Sequence, residues 1–254
     1  MKGIILCTIV LFSTLNVFSQ ILIGGAETKE DPKKGGRTKK VKADAPESQQ
    51  GDGSTSVYFI TNWSKTNRLL EPNGGLYGDS LGERANEGGL NTWSFGLGMK
   101  NKLNRYLTWD GGISISRNGE SYNFTGSDTS YSYKTTYNYV GMPIRLNFTY
   151  GETFKFYAGA GLMPQMFTGY RQEREWTTSN NSSDKETFKT KSGYNPFVLS
   201  AIFNVGLILN FENNWALVVS PEARIQLTSS YAKLDGYIHK GRAYGISFGL
   251  IRNL

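Results

Sequence analysis

The chain has 254 residues, a formal net charge of +7 and a mean hydropathy of −0.41. Beyond its N-terminus no apolar run reaches the roughly 20 residues that a membrane helix needs, which excludes a helical membrane protein. A membrane β-barrel stays possible, because only alternate residues of its strands face lipid and its hydropathy averages out.

The first 19 residues, MKGIILCTIVLFSTLNVFS, have the order of features of a secretory signal peptide. Lys2 supplies the positive start, residues 4–12 the apolar core, and Ser19 precedes a predicted cleavage before Gln20. The only cysteine, Cys7, lies inside this segment. We therefore expect export, and a mature chain without disulfides, thiol chemistry or a thiolate metal site.

Residues 20–54 contain a basic block, KKGGRTKKVK (Lys33 to Lys42), with six basic residues and no acidic one. Acidic residues and prolines flank the block, and large apolar side chains are scarce. We expect a disordered periplasmic linker, because such a composition cannot bury a core. The linker is either a solvated tether or a contact for anionic lipid head groups or an acidic periplasmic partner. Nucleic acid is a poor candidate for an exported chain without stacking aromatic residues beside the basic run.

From residue 55 onward an alternation of period two predicts an all-β domain, residues 55–254. Its connections alternate between long and short, with the long ones at 65–90, 119–131, 172–193 and 230–241. This rhythm is typical of an antiparallel up-and-down transmembrane barrel, whose short turns face the periplasm. A soluble Greek-key sandwich, the rival fold, gives no reason for it. The eight predicted strands are 55–64, 91–102, 106–118, 132–150, 153–171, 194–211, 214–229 and 242–254.

The segment WALVVSPEARIQL (Trp215 to Leu227) shows the alternation along its whole length. Every second residue from Trp215 is apolar, and the residues between them become polar and charged. In the other strands the glycines lie opposite the apolar side, with Gly111 as the clear exception. A narrow eight-stranded barrel needs small residues inside, whereas glycine is otherwise unfavourable in strands. We therefore predict that the apolar side faces lipid and the glycine-rich side faces the lumen.

Aromatic residues gather near the strand ends of the predicted barrel. Two aromatic rings separated by a band of Leu, Ile and Val are expected at the two interfaces of a membrane. The predicted girdle residues are Trp63, Trp93, Trp109, Tyr150, Phe154, Tyr170, Phe197, Phe211, Trp215, Tyr231 and Tyr244.

The run YVGMPIRLNFTYGETFKFYAGAGL (Tyr139 to Leu162) joins a Gly-Met-Pro-Ile-Arg strand to a return strand with Gly-x-Gly. With SPEARIQL (Ser220 to Leu227) and YGISFGLIRNL (Tyr244 to Leu254), it resembles the small outer-membrane barrels of Bacteroidota-type bacteria, the PorT-like group. The resemblance covers about residues 55–254 and implies an outer-membrane location. A founding member is tied to protein secretion, but no residues here carry that role over. The last residue, Leu254, departs from the terminal aromatic of proteobacterial barrels, so the usual assembly route is implied by the resemblance only.

Charged and amide side chains occupy the predicted lumen side, where they must pair or stay hydrated. Glu222 and Arg224 are two apart on one face, and Arg145 is expected at comparable depth. We expect a hydrogen-bonded plug, with a narrow ion or proton path as the alternative. The predicted lumen residues are Lys100, Asp110, Arg145, Asn147, Lys155, Asn204, Glu222, Arg224 and Gln226.

Motifs for catalysis are scarce. His239, the only histidine, is predicted in the last long loop near Ser230 and Asp235, a weak basis for a hydrolase. There is no HExxH, no cysteine–histidine ligand set and no P-loop, and the Gly-x-Gly of AGAGLMP (Ala158 to Pro164) does not lead into a helix. We therefore expect no catalytic residue, cofactor or metal.

The long loops are where binding is expected, because they sit on a rigid scaffold. Trp176, in the charged stretch 171–191, is the candidate anchor. The first hypothesis is a non-enzymatic, monomeric outer-membrane barrel with a structural, adhesive or secretion-assembly role. Its partners would be membrane lipid and a periplasmic or extracellular protein. A narrow pore or transporter and an outer-membrane hydrolase using His239 are the alternatives.

Overall fold

A computed structural model of the protein describes residues 55–73, 85–177, 182–211, 213–232 and 236–254. The predicted signal peptide (1–19) and linker (20–54) lie outside the described residues. Within the described ranges no helix has the length and apolarity that a membrane crossing requires. The strands are β1 (Thr55–Pro72), β2 (Glu87–Lys102), β3 (Leu107–Thr125), β4 (Ser130–Gly141), β5 (Ile144–Tyr150), β6 (Phe154–Thr177), β7 (Ser183–Thr190), β8 (Phe197–Asn210), β9 (Trp215–Gln226) and β10 (Tyr237–Asn253).

These ten strands form one closed antiparallel sheet, in which β1 pairs with both β2 and β10. β4 and β5 both pair with β3 and β6, so they are two pieces of one position, interrupted at Met142 and Pro143. β7 and β8 likewise pair with successive parts of β6. Ten strands with two such pairs give eight positions around the ring. The predicted eight-position antiparallel barrel is confirmed.

The strands extend further on the long-loop side than predicted. β1 continues to Pro72 instead of residue 64, and β3 continues to Thr125 instead of residue 118. β7 lies inside the stretch 172–193 that was predicted as a loop. The predicted strand ends were taken from the hydropathy pattern. On the long-loop side, the apolar face of a strand ends where the strand leaves the apolar surroundings, but its backbone pairing continues beyond that point.

The outer surface of the barrel is apolar. Leu97, Ile113 and Leu207 project outward and are 65%, 61% and 48% exposed. Leu97 and Ile113 lie opposite each other on neighbouring strands, and similar pairs recur around the ring. A continuous exposed surface of this kind does not suit a water-soluble monomer, but it matches the lipid-facing band of a transmembrane barrel. We call this surface the apolar belt.

The upper edge of the apolar belt is marked by Trp63 and Trp93, which lie opposite each other in the β1–β2 ladder. Just above them, the outward-facing residues become polar, as Lys65, Asn91 and Arg117 show. Tyr150, Phe154, Phe211 and Trp215 mark the lower edge, beside the short turns.

Four strands continue above the apolar belt as a paired extension, which we call the projecting sheet. It consists of residues 119–125 of β3, 130–136 of β4, 171–177 of β6 and β7. Because side chains alternate across a sheet, one of its faces continues the lumen side of the barrel and the other continues the outer side.

Candidate functional site

The middle of the lumen is closed by a group of buried side chains, which we call the central cluster: Tyr58, Asp110, Arg145, Asn147 and Glu222. Arg145 Nε donates to Asp110 Oδ1 over 2.8 Å, and Asn147 Nδ2 donates to Asp110 Oδ2 over 2.6 Å. Arg145 Nη1 lies 3.8 Å from Glu222 Oε2, which also accepts from the Ser247 hydroxyl over 3.0 Å. Both oxygens of Asp110 are therefore engaged, and the Arg145 guanidinium joins two carboxylates inside the barrel.

The remaining predicted lumen residues lie above and below the central cluster. The Lys100 ammonium lies 5.5 Å from the centroid of the Tyr157 ring, and Asn204 Nδ2 donates to the Tyr157 hydroxyl over 3.5 Å. Arg224 donates to Asn118 Oδ1 over 3.1 Å, so its hydrogen-bond partner is not Glu222. The other two are Lys155, half-buried opposite Ile208, and Gln226, which donates to Ser230 Oγ.

Little space remains at the level of the central cluster. A cavity of about 40 Å³ lies between Ile60, Met163, Arg145 and Glu222. This volume has room for water molecules but not for a solute of ordinary size.

A second obstruction lies nearer the end of the barrel where the predicted long loops are, and there aromatic side chains fill the lumen. The Tyr137 ring contacts those of Tyr170, Tyr194 and His239 at centroid distances of 5.5, 5.9 and 4.6 Å. The Tyr231 ring stacks on His239 at 4.8 Å. We call this group the aromatic layer; its members are Tyr137, Tyr139, Phe167, Tyr170, Tyr194, Tyr231 and His239.

Two predicted girdle residues, Tyr170 and Tyr231, therefore lie inside the barrel and not on its outer face. The register of β4 and β6 shifts at Asn138 and Tyr139, which leaves Thr168 as an extra residue in β6. An extra residue moves every following side chain to the opposite face, so Tyr170 turns inward. Tyr231 follows the end of β9, where the alternation no longer applies. The other predicted girdle residues are on the outer side: Trp63, Trp93, Trp109, Tyr150, Phe154, Phe197, Phe211, Trp215 and Tyr244.

His239 was predicted in a loop, but it lies on β10 and is 1% exposed. The Ser230 hydroxyl, its proposed nucleophile, shares a hydrogen bond of 2.9 Å with the Tyr139 hydroxyl and accepts from Gln226 over 2.7 Å. Asp235 lies outside the described residues. The Ser230 hydroxyl is therefore engaged by Tyr139 and Gln226. The part of the chain that the structure describes holds no cluster of three or more metal-ligating side chains.

Trp176 was also predicted in a loop, and it lies on β6 within the projecting sheet, opposite Tyr131 on β4 and Asp184 on β7. The lumen-side face of this sheet is rich in aromatic residues. The Tyr122 and Tyr133 rings stack in parallel at 5.1 Å, and Phe124 and Phe188 are about half exposed.

A polar pocket lies at the foot of the projecting sheet, and sequence analysis missed it entirely. Arg68 forms a salt bridge with Glu87, and its Nη1 lies 3.5 Å from Glu120 Oε1. The Tyr137 hydroxyl donates to the same Glu120 oxygen over 3.2 Å. We call this space of about 350 Å³ the mouth pocket; its lining residues are Asn67, Arg68, Glu87, Gly88, Gly89 and Glu120. Burial raises the pKa of Glu120 to about 7, although the nearby Arg68 opposes that rise.

No family model and no curated protein matches this sequence. Among solved structures, the chain is similar to the outer membrane protein OprG from Pseudomonas aeruginosa, with 10% identity, 80% of this chain and 96% of that chain covered, and a TM-score of 0.44. Neisserial surface protein A shows 11% identity, with 79% of this chain and 97% of that chain covered and a TM-score of 0.40. The outer membrane protein AlkL shows 13% identity, with 90% of this chain and 97% of that chain covered and a TM-score of 0.35. The class of this protein rests on its own geometry, which is that of a small transmembrane β-barrel with a filled lumen.

Proposed function

We propose that this protein is a non-conducting outer-membrane barrel that acts as a binding component through its projecting sheet. The observation that carries the proposal is the double obstruction of the lumen by the central cluster and the aromatic layer. With the axis filled, the functional surface is outside the membrane.

The apolar belt and the closure of the barrel support placement in the outer membrane. A closed β-barrel is the β-structure in which every backbone N–H and C=O group has a hydrogen-bond partner within lipid. The predicted signal peptide, cleaved before Gln20, supplies the route of export. The sequence resemblance supports membership in the PorT-like group of Bacteroidota-type bacteria. A secretion-assembly role rests on that resemblance alone, so binding is the more specific proposal.

The projecting sheet has the features of a recognition surface. Its lumen-side face presents Tyr122, Phe124, Tyr133 and Phe188, and its opposite face carries charges that include the exposed Lys185–Glu175 pair at 3.0 Å. Aromatic residues offer large contact areas at a low entropic cost when a rigid scaffold holds them. The four-stranded pairing provides that scaffold.

Single-channel recording tests the closed lumen. Wild-type protein in a planar bilayer should give no steady ion current. A reproducible conductance from wild-type protein would support the narrow-pore alternative, which relies on the same polar lumen residues.

Cell-surface display tests the binding role. Cells that display Phe124→Ser/Phe188→Ser protein should lose adhesion to immobilised glycans or matrix proteins that retain cells displaying wild-type protein. Thr187→Ser, a conservative change in β7, is the matched control and should keep adhesion. Equal retention of the double variant would contradict the proposal. A His239→Ala variant with lost hydrolytic activity toward lipid or peptide esters would instead favour the hydrolase alternative.

A further inference from the structure

Three exposed cations lie on the outer surface at the upper edge of the apolar belt. Lys65 is two residues after Trp63 on β1, and Arg242 is two residues before Tyr244 on β10. Residues two apart on a strand face the same side, so both cations point outward like the aromatic residues below them. Arg117 is an exposed, outward residue of β3. We call Lys65, Arg117 and Arg242 the rim cations.

The register of the strands places the rim cations close together. Lys65 lies opposite Tyr244, and Arg242 is two residues away on β10, so the two cations are diagonal neighbours about 7–8 Å apart at the backbone. On the β2 side, the Thr92 hydroxyl donates to the carbonyl oxygen of Arg117 over 3.1 Å. Because β2 lies between β1 and β3, Arg117 is two strand spacings, about 10 Å, from Lys65. Long side chains at these separations can share one or two phosphate groups.

The rim cations lack acidic partners. Within the part of the chain that the structure describes, none of the three forms a salt bridge. On the outward side of β1 the first acidic residue above Lys65 is Glu71, six residues further on and about 20 Å away along the strand. On the outer face of the projecting sheet, in contrast, acidic residues lie among the basic ones, and Arg171 pairs with Glu173 at 2.5 Å. The rim cations therefore present a positive charge that no described neighbour neutralises.

The aromatic residues at the upper edge of the belt give the depth at which the rim cations lie. Trp and Tyr concentrate at membrane interfaces, where their rings sit at the level of the lipid head groups. Below them, the outward residues Phe95 and Ile246 are 48% and 40% exposed and belong to the apolar belt. A lipid that packs its acyl chains on these two residues brings its head group to the rim cations.

We propose that the rim cations bind the phosphate groups of anionic membrane lipids and hold such lipids against β10, β1, β2 and β3. An arginine can donate two parallel hydrogen bonds to a phosphate, and a lysine acts as a point charge. A free phosphate ion fits less well, because the adjoining apolar belt adds contact area that acyl chains can use and the ion cannot. This lipid site goes beyond the proposed binding role of the projecting sheet, and each can fail without the other.

Quenching of tryptophan fluorescence by lipids with brominated acyl chains measures which lipid occupies this part of the surface. Trp63 and Trp93 lie beside the rim cations, so they are kept as reporters, and the other tryptophans are removed by Trp109→Phe, Trp176→Phe and Trp215→Phe. The protein is placed in phosphatidylcholine vesicles that contain increasing fractions of brominated phosphatidylglycerol or brominated phosphatidylcholine. We expect phosphatidylglycerol to associate about fivefold more strongly, the ratio that one basic residue gives at an anionic surface.

Substitution of the rim cations should remove that preference. In the same tryptophan background, Lys65→Ser/Arg117→Ser/Arg242→Ser protein should be quenched equally by the two brominated lipids. Arg171→Ser/Lys185→Ser is the matched control, because it removes two exposed cations that have acidic partners on the projecting sheet. The control should keep the fivefold preference.

Equal association of the two lipids with the unsubstituted rim would overturn the proposal, as would an undiminished preference in the triple serine variant. Loss of the preference on addition of inorganic phosphate, but not of sodium chloride at equal ionic strength, would show that the site takes the free ion, and the lipid proposal would be wrong. Heat-modifiable gel migration shows whether each variant is folded. If the triple variant does not fold, Lys65→Ser and Arg242→Ser replace it as single variants, and an unchanged preference in both counts against the site.

Discussion

Arg145 and Asp110 lie opposite each other in the β3–β5 ladder and are joined by a hydrogen bond of 2.8 Å in the middle of the lumen. The same guanidinium approaches Glu222 on β9, which belongs to a distant part of the ring. One side chain thus connects three strands through the interior of the barrel.

Replacing Arg145 with alanine should destabilise the barrel strongly. The variant leaves Asp110 and Glu222 buried without their cation, at a cost of about 3–5 kcal/mol in the free energy of unfolding. Urea titration in detergent measures this loss. Arg171→Ala, which breaks an exposed pair with Glu173, should change stability by about 0–1 kcal/mol. If Arg145→Ala keeps wild-type stability and conducts ions, the central cluster is not the plug.

A charged side chain introduced into the apolar belt should lower the free energy of unfolding, and the loss should be larger nearer the middle of the membrane. Leu207 lies within the belt, opposite Phe156 and Val219. Leu207→Arg should lower stability in phosphatidylcholine vesicles by about 2–4 kcal/mol, whereas Thr187→Arg, at an exposed outward position above the belt, should change it by about 0–1 kcal/mol. Equal effects at the two positions would show that the outer surface does not face lipid.

Gly245 illustrates why small residues are needed on the lumen side. A Cβ atom there would collide with the carbonyl oxygen of Trp63 and with Ser64 on the neighbouring strand. Gly245→Ala should therefore destabilise the barrel by about 1–3 kcal/mol in a urea titration. Gly169, where a Cβ atom would meet nothing within 4 Å, is the comparison, and its alanine variant should be nearly neutral. A neutral Gly245→Ala would indicate that the two strands are further apart.

Stability should also depend on the ionisation of Glu120. Its pKa rises from 4.5 to about 7 on folding, mainly because of burial, so the folded chain binds this proton more tightly than the unfolded chain does. The contribution of Glu120 to stability should therefore fall as the pH rises from 4.5 to about 7 and stay level above that. Unfolding midpoints of wild type and Glu120→Gln at pH 5 and pH 8 measure it. The wild type should lose stability relative to the variant at the higher pH, and an unchanged difference would contradict the assignment.

Which side of each strand faces lipid and which faces the lumen could be predicted from the sequence. Side chains alternate along a strand, so the facing side depends only on whether a residue is at an odd or an even position. Along WALVVSPEARIQL every second residue from Trp215 is apolar. In the structure Trp215 and Leu217 are exposed on the outside of the barrel, whereas Arg224 and Gln226 are buried inside it. The eight-position ring followed from the rhythm of the connections. The alternation and the connection lengths are properties of neighbouring residues along the chain, so both can be observed in a single sequence.

The features that were missed depend on register or on polar strands. One extra residue at Thr168 reverses the side on which Tyr170 lies, and hydropathy does not show where a bulge occurs. Arg68 and Glu120 lie beyond the predicted ends of their strands, where polar residues occur on both faces and the regular alternation in hydropathy disappears. The Arg145–Asp110 contact needed the register of β3 against β5, which polarity restricts but does not determine.

The ladder between β1 and β10 has a consequence for assembly. It runs from Ser56 with Asn253 to Pro72 with Tyr237, so the barrel is completed by pairing the first and the last of the described strands. The Ser56–Asn253 side-chain hydrogen bond alone spans 197 residues. Contacts of such long range form late and slowly, and until they form both edges of the sheet have unpaired peptide groups that hydrocarbon does not tolerate. A nascent barrel of this kind must keep its two free edges hydrated or temporarily paired until the final strand arrives.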